Sequence, residues 1–534
     1  MLTVAVALGV AQLMAGITGP LGSPVVAIGS IAISHTPEPV KEFAIAHFGS
    51  RDKDALISGI VAILTGAAAV TGVLALKWLR AGLAVLAVFG AAGVAAAVTS
   101  PQATGTSALP TLAGIAAGAA ALILLTRSAR VALGSPSPLV TAAEAGAATG
   151  ELAPLAGGTA PERPAAPGPE RPGPPGPVRG PDRRRFLITG ASAVAVAAAS
   201  GGAGELILGR FNVAASRAAV RLPAPAVAAR AVPAGAQLPI SGLSPFMTPN
   251  SRFYRVDTDL VVPQVAPEDW TLRIDGMVSR PVEITFSELL KMPLTEADVT
   301  LVCVSNVVGG PYAGNARWLG VPLAGLLRRA GVQAGADQVL SSGTDGMTIS
   351  TPLAAIMDGR NALVAVGMNG QPLPVTHGFP ARMVVPGLYG YTSATKWLTR
   401  LTVTTFARRR AYWTQRGYAA VAPIKTESRI DVPKPLAQVK AGRVPVAGVA
   451  WAPHRGISAV EVSVDGGPWR AATLAAADGI DTWRQWAWAW DATPGLHSLR
   501  VRAADGAGAV QVSKEAAPFP DGASGWDSVV VTVT

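Results

Sequence analysis

The chain has 534 residues, of which half are hydrophobic and 14% are charged, and its formal net charge is +11. This composition is too apolar for an ordinary soluble enzyme, and the length allows for several domains. The positive charge does not indicate a nucleic-acid-binding protein, because the basic residues are dispersed and form no stripe with aromatic residues. A single cysteine excludes an internal disulfide.

The first 130 residues predict an α-helical membrane domain. A helix that crosses the hydrocarbon layer needs about twenty apolar residues. Runs of about this length cover residues 2–19, 56–76, 81–98 and 109–126, and a fifth covers residues 186–208. A shorter apolar run at residues 25–34 is expected only to dip into the membrane. We therefore expect about four spans in residues 1–130 and one more at residues 183–209.

The distribution of cations predicts how these spans are oriented. Lysine and arginine stay on the cytoplasmic side of membrane helices. Lys77 and Arg80 mark one inner loop, Arg127 and Arg130 mark the next, and a run of arginines at residues 183–185 precedes the fifth span. The protein is thus expected in the plasma membrane, with the part after about residue 210 on the extracytoplasmic side.

Residues 131–182 are rich in proline, alanine and glycine and have no hydrophobic period. Such a segment buries too little apolar surface to fold and is expected to be a cytoplasmic linker. It leads into Arg183-Arg184-Arg185-Phe186-Leu187, which resembles a twin-arginine export signal. The alternative is that the arginines only anchor the helix on its inner side. Residues 210–240 are expected to form a second linker.

The remaining chain predicts two further domains. Residues 241–428 combine β-branched strand patterns with short helical stretches, which is typical of an α+β domain. Residues 429–534 contain strand patterns at the spacing of a β-sandwich and almost no helix. Tryptophans crowd one predicted strand of this second domain, at positions 483, 486, 488 and 490. Burial in the sandwich or in a subunit contact is favoured over a binding face, because these rings supply large apolar area.

The single cysteine lies in the stretch LVCVSNVVGG, residues 301–310. Unpaired cysteines are often buried small hydrophobic residues. A thiolate is also the form that acts as a nucleophile or binds a soft metal. One cysteine carries no spacing pattern, so the residues alone leave these interpretations of Cys303 open.

The sequence from Phe246 onward resembles the sulfite oxidase family of molybdenum enzymes. The similarity runs in order through TPNSRFYRVDTDLVVP, DWTLRIDG, LVCVSN, GNARWLGVPL and THGFPARMVVPGLYGYTSATKWL. It continues through SRID and AGVAWAPHRGISAVEVSVDGGPW, which resemble the immunoglobulin-like dimerisation domain of that family. The resemblance implies a domain that binds a molybdenum-molybdopterin cofactor, followed by the sandwich, and it allows a homodimer.

The resemblance also implies roles for individual residues. Cys303 matches the cysteine whose thiolate binds molybdenum, a role that suits a soft ligand. Asn306 matches the asparagine that orients this turn, and Tyr418 matches, less closely, a tyrosine of the substrate pocket. The residues expected to contact the pterin or its phosphate are Tyr254, Arg255, Asp345, His377, Arg382 and Lys396.

The substrate implied by the resemblance is a small sulfur compound or methionine sulfoxide in proteins. Animal and plant members of the family have two arginines after the cysteine turn, and one of them helps to bind sulfite. Val307 and Val308 occupy those positions here, although Arg255 or Arg317 could supply the missing charge. Oxygen-atom transfer could therefore run as sulfite oxidation or as S-oxide reduction.

No haem-attachment motif and no second cysteine is present in the sequence. An external redox partner, either a cytochrome or a quinone-linked protein, is therefore expected. Two alternatives from other functional classes remain at this point. One is a cofactor-free thiol enzyme that uses Cys303 as its nucleophile, and the other is a non-catalytic surface module that binds a partner.

Overall fold

A computed structural model describes residues 1–19, 22–37, 40, 52–100, 103, 105–133 and 183–534. Almost all of the predicted linker at residues 131–182 lies outside the described residues. The chain divides into two compact units. The first comprises Met1–Ile28, Ile57–Thr99 and Ala103–Gly209, and the second comprises Gly29–Leu56, Ser100–Gln102 and Arg210–Thr534.

Apolar helices dominate the N-terminal part of the chain. They are α1 (Leu2–Thr18), α2 (Pro24–His35), α3 (Asp52–Lys77), α4 (Leu79–Thr99), α5 (Leu109–Leu133) and α6 (Arg183–Leu208). By length and composition, four of the described helices could cross a membrane, at Lys53–Lys77, Leu79–Thr99, Leu109–Arg130 and Arg184–Ala219. The sequence predicted five spans. Helix α1 is apolar but has 17 residues, about 26 Å at 1.5 Å per residue, which is short of a hydrocarbon core of about 30 Å.

Small residues allow α1 and α6 to approach closely. A Cβ atom added at Gly9 would lie 2.7 Å from the Ala197 carbonyl oxygen, and one added at Gly204 would lie 2.6 Å from the Gln12 carbonyl carbon. Close backbone approach at small residues is how helices associate where no hydrophobic effect drives them together. The Gln12 side-chain amide donates to Glu205 Oε1 at 2.7 Å, which pairs the acidic residue of α6.

In the second unit, residues 210–240 pack against the domain that follows them. Helix α7 (Ala214–Ala219) comes first, and Val213 is buried beside it. The backbone amide of Ala226 donates to Leu294 O at 2.8 Å, and Val227 pairs with Thr295. This segment, expected as a linker, is therefore held by the domain.

Two sheets and three short helices build the next part of the chain. The strands are β1 (Thr271–Gly276), β2 (Val282–Thr285), β3 (Thr295–Val302), β4 (Ala313–Pro322), β5 (Gln338–Gly343), β6 (Thr348–Pro352), β7 (Leu363–Met368), β8 (Gln371–Pro372), β9 (Arg382–Val384) and β10 (Leu398–Thr404). The helices are α8 (Phe286–Leu290), α9 (Leu323–Ala330) and α10 (Leu353–Met357). One sheet has the order β2-β1-β10-β5-β6 and the other has β3-β4-β7-β8, with β9 beside β7.

Local sequence explains several of these elements. Strand β1 shows the alternating burial of a sheet with one covered face, whereas every residue of the apolar β7 is buried. Thr285 and Glu288 form a capping box that starts α8. Gly331 ends α9 in the left-handed conformation that favours glycine. The mixture of sheets and short helices agrees with the predicted α+β pattern.

The C-terminal part is almost entirely β-structure. Its strands are β11 (Glu427–Val432), β12 (Gln438–Val439), β13 (Gly442–Trp451), β14 (Ile457–Val464), β15 (Arg470–Ala471), β16 (Thr473–Leu474), β17 (Arg484–Ala492), β18 (Gly495–Asp505) and β19 (Asp527–Val533). They form two sheets with the orders β11-β13-β17-β16 and β12-β19-β18-β14-β15. Trp483, Trp486 and Trp490 are buried and Trp488 is partly buried, which confirms the structural interpretation of these rings over a binding face.

Candidate active site

Cys303 directly follows strand β3, in the loop that connects it to β4. Its backbone amide donates to Tyr312 O at 2.9 Å, and the backbone amide of Asn306 donates to Cys303 O at 3.1 Å. The Asn306 side-chain oxygen accepts from the Tyr312 backbone amide at 2.7 Å. Asn306 thus closes the turn through both its backbone amide and its side-chain oxygen. Burial raises the pKa of the Cys303 thiol, against the opposing effects of hydrogen bonds from Ser305 and of the Lys396 charge.

Arg382 is a buried cation at the start of β9. Its guanidinium donates to His377 O at 3.1 Å and to Ala394 O at 3.3 Å, and it stacks over the Trp318 ring at 5.0 Å. Its Nε atom has no hydrogen-bond partner among the described residues. Burial lowers the pKa of Arg382 to about 10. A buried guanidinium with an unused donor is prepared for an anion.

Lys396 supplies a second buried cation. Its Nζ atom lies 2.9 Å from Asp257 Oδ2, and Arg255 Nε lies 2.6 Å from the same oxygen. Burial lowers the pKa of Lys396 to about 8, although the Asp257 carboxylate opposes this shift. Burial would by itself raise the pKa of Asp257, but Lys396 and Arg255 hold it well below its usual range. Asp257 therefore pairs with two of the three cations that were expected to contact the cofactor.

His377 and Tyr254 lie beside these cations. His377 Nε2 lies 3.2 Å from Asn250 O, so this nitrogen carries the proton of a neutral ring. Burial and the Arg382 charge lower the pKa of His377 to about 4. Phe253 stacks on Tyr254 and meets the His377 ring edge to face. The Tyr254 hydroxyl is also buried, which raises its pKa, and the charges of Cys303 and Arg382 both act on it.

An acidic pair borders the same region. Burial raises the pKa of Asp345, which also accepts a hydrogen bond from the Met347 amide at 3.0 Å. Burial and the Asp345 charge raise the pKa of Asp259 to about 8. Asp345 was predicted from the sequence as a cofactor contact, whereas Asp257 and Asp259 were not. The acids alternate with other residues in YRVDTDL, which was the only local signal for them.

Tyr418 lies in an aromatic cluster. Its ring centroid is 5.5 Å from that of Tyr391, 5.3 Å from Trp413 and 5.1 Å from Phe519. This cluster shares a hydrophobic core with the two residues that flank Cys303, Val302 and Val304. The predicted substrate-pocket tyrosine therefore lies on the side of the protein that carries the cysteine loop.

The residues fit a phosphate-bearing cofactor bound through one thiolate. Two buried cations and the unused Arg382 donor match an anionic group. A Cβ atom added at Gly390 would lie 3.7 Å from Val302 O and 3.8 Å from the Tyr254 hydroxyl, so the glycine leaves a cradle next to the cysteine. No cluster of three His, Cys, Asp or Glu side chains that could bind a metal occurs in the described parts of the chain. The Cys303 sulfur is itself a ligand that suits a soft metal.

Two predicted substitutes for the missing arginine pair behave differently. Arg255 lies at the predicted cofactor site, where it pairs with Asp257 beside Lys396. The Arg317 guanidinium is bound to Asp298 at 2.7 and 2.8 Å and to Arg230 O at 2.8 Å, and no residue of the predicted cofactor site is among these partners. Val307, which occupies one of the positions of the pair, is 52% exposed.

Comparison with known proteins identifies the domain. Residues 259–413 match the family described as the oxidoreductase molybdopterin binding domain. Sulfite oxidase of Gallus gallus is 33% identical over 293 residues, which are 46% of this chain and 63% of that protein. The mitochondrial sulfite oxidase of Homo sapiens is 32% identical over 288 residues, 46% of this chain and 52% of that protein. The chain thus spans less than two thirds of these relatives.

A third relative and one solved structure extend the comparison. Nitrate reductase [NADH] of Solanum lycopersicum is 36% identical over 187 residues, 30% of this chain and 20% of that protein. The sulfane dehydrogenase SoxCD of Paracoccus pantotrophus is 25% identical, covers 54% of this chain and 84% of that chain, and gives a TM-score of 0.48. The domain match and the sulfite oxidase relatives support a molybdopterin-binding oxidoreductase domain in this chain, similar to that of sulfite oxidases, with molybdenum-molybdopterin as its cofactor.

Proposed function

We propose that the protein is a membrane-anchored oxidoreductase that transfers an oxygen atom to or from sulfur. The observation that carries this proposal is the buried thiol of Cys303 beside a cradle at Gly390 and a set of buried cations. When bound, the cofactor supplies two-electron oxygen-atom transfer. The protein holds it and controls access to it.

The residues of the site divide this work. Cys303 provides the thiolate ligand, and Asn306 fixes the turn that presents it. Arg382, Lys396 and Arg255 bind the phosphate, since fixed cations with several donors suit that group. His377, Tyr254 and Asp345 border the pterin, where the neutral imidazole and the tyrosine hydroxyl both offer hydrogen-bond donors. Tyr418 lines the substrate pocket and donates its hydroxyl proton there.

The substrate is proposed to be a neutral sulfur compound, with an S-oxide such as methionine sulfoxide in proteins favoured over sulfite. Val307 is exposed beside the cysteine turn and brings no charge to an anion. Arg317 is committed to Asp298. Sulfite oxidation remains the second candidate because the relatives include sulfite oxidases and Arg255 belongs to the site.

The setting of the enzyme is part of the proposal. The four candidate spans support a multi-pass anchor, and the positive-inside rule places residues after about 210 on the extracytoplasmic side of the plasma membrane. We assign residues 241–428 to the catalytic domain and residues 429–534 to an immunoglobulin-like sandwich that supports homodimer formation. A cytochrome or a quinone-linked protein exchanges electrons with the site.

The alternatives gain less support. Burial raises the pKa of the Cys303 thiol, so without a metal the residue would be a weak nucleophile. A non-catalytic module has no need for buried cations, which cost desolvation free energy unless they bind something.

A substrate assay tests the proposal. The full chain is purified in detergent from a host that makes the cofactor, and two reactions are measured with artificial electron carriers, the reduction of methionine sulfoxide and the oxidation of sulfite. We expect the first to be faster, and we expect Val307→Arg to shift the preference toward sulfite by about tenfold, a change of about 1.4 kcal/mol. Absence of both activities in cofactor-loaded protein would overturn the proposal.

A further inference from the structure

The cysteine loop is held from the C-terminal sheets by strand β11. Arg429 on this strand donates to Gly310 O at 2.8 Å and is itself fixed by Asp431 at 2.9 Å. Gly309 packs directly on the C-terminal sheets, because a Cβ atom added there would lie 2.3 Å from Asp527 Oδ1. Arg429, Gly310 and Asp527 are all buried. The loop that carries Cys303 is therefore shaped partly by residues far away in the sequence.

Glu427, the first residue of β11, lies two residues before Arg429 and on the same face of the strand. Its side chain is 3% exposed, and neither carboxyl oxygen has a hydrogen bond of good geometry among the described residues. The Asn306 side chain is 2% exposed, and its Nδ2 atom also has no hydrogen bond of good geometry among the described residues. The two groups are close enough for the Asn306 amide to lower the pKa of Glu427. Buried polar groups of this kind are costly when they are left unpaired.

The surroundings of Glu427 favour its neutral form. Burial raises the pKa of Glu427 to about 8, the Asp527 charge adds to this shift, and Lys425 opposes it. The Tyr389 hydroxyl is a further titratable group in its surroundings. A protonated carboxyl can accept from the Asn306 amide through its carbonyl oxygen. Glutamine offers the same acceptor with nearly the same shape.

We propose that Glu427 is a positioning residue for the metal site: its carboxyl group receives the Asn306 amide, directly or through one water, and so fixes the turn that presents the Cys303 thiolate. This inference rests on the proposed ligation of molybdenum by Cys303. It assigns to the C-terminal sheets a part in tuning the metal, since groups behind a ligand set its orientation and the properties of the metal it binds.

The test compares variants of the full, cofactor-loaded chain. Glu427→Ala removes the carboxyl, Glu427→Gln keeps an acceptor, and Glu461→Ala removes another acid of the C-terminal sheets, which pairs with Arg502 instead. We measure molybdenum content and the electron paramagnetic resonance spectrum of the one-electron-reduced metal. We expect all three variants to retain molybdenum within about twofold of the wild type, on the basis that the ligand itself is intact.

The spectra decide the outcome. We expect a shifted spectrum and about tenfold lower kcat for Glu427→Ala, with wild-type spectra for Glu427→Gln and Glu461→Ala. An unchanged spectrum in Glu427→Ala overturns the inference, and so does an equal shift in Glu427→Gln. If Glu427→Ala does not accumulate, Glu427→Asp replaces it, and an unchanged spectrum there has the same meaning. If the wild-type chain itself contains no molybdenum, the result would instead count against the proposed function.

Discussion

The buried guanidinium of Arg382 gives a sharp prediction about stability and cofactor binding. Replacing it in Arg382→Met removes a charge whose burial lowers its pKa to about 10, which corresponds to about 3 kcal/mol of unfavourable desolvation. The same change removes two hydrogen bonds, to His377 O and Ala394 O, each worth about 1.5–3 kcal/mol. Methionine can keep the contact with the Trp318 ring.

These terms oppose each other, so the free energy of unfolding of the cofactor-free protein should change by less than about 3 kcal/mol. We expect the affinity for the cofactor to fall by a much larger free energy. Truncating one partner of a buried charge pair costs about 2–5 kcal/mol, equivalent to roughly 30- to 5,000-fold in affinity. Arg382→Met is therefore expected to fold and to lose most of its cofactor.

The assay measures thermal unfolding and molybdenum content of wild type, Arg382→Met and Arg502→Met. Arg502 is a matched control because it also stacks on a tryptophan, Trp469 at 4.3 Å, and pairs with Glu461. We expect the control to keep its molybdenum. Full cofactor content in Arg382→Met would refute the reasoning about the anion site. Destabilisation of its cofactor-free form by more than about 5 kcal/mol would refute the energy comparison.

Three further predictions follow from the site. His377 has a folded-state pKa of about 4, below its unfolded value, so the cofactor-free protein should lose up to about 3 kcal/mol of stability as pH falls from 6.5 to 4. The free energy of unfolding, measured by chemical denaturation, should therefore fall less between pH 7 and pH 5 in His377→Gln than in the wild type. An equal fall in both proteins would contradict this. Tyr418→Phe should lower kcat at least tenfold without changing molybdenum content, and unchanged turnover would remove Tyr418 from catalysis. Gly390→Val should fold normally but bind at least tenfold less cofactor, because its methyl groups enter the cradle beside Val302 O; full occupancy would show that the cofactor lies elsewhere.

Local motifs were sufficient to predict much of the site. Cys303 and Asn306 lie in one turn, and His377, Arg382 and Lys396 lie in one short stretch, so a resemblance along the sequence could identify them together. The structure brings the three cations and His377 together as expected. Their proposed contacts with the pterin remain predictions.

Other features depend on contacts between distant parts of the chain. Asp257 belongs to the site because it forms a salt bridge with Lys396, and Trp318 belongs to it because the Arg382 guanidinium stacks on its ring. The two residues of each pair are far apart in the sequence, so no local pattern could predict either contact. Glu427 lies outside the matched domain, residues 259–413. The hydrophobic runs predicted the long apolar helices well, but helix α1 ends at Thr18, and a difference of a few residues decides whether a helix can span a bilayer.

The central claim is that Cys303 binds the molybdenum of a pterin cofactor. Its most direct test is the molybdenum content, by elemental mass spectrometry, of the detergent-purified chain and of Cys303→Ser, both from a host that makes the cofactor. We predict about one molybdenum per chain in the wild type and a sharp fall in the variant, because serine replaces a soft thiolate ligand with a hard hydroxyl. Equal molybdenum in a folded Cys303→Ser protein, or none in the wild type, would contradict the account.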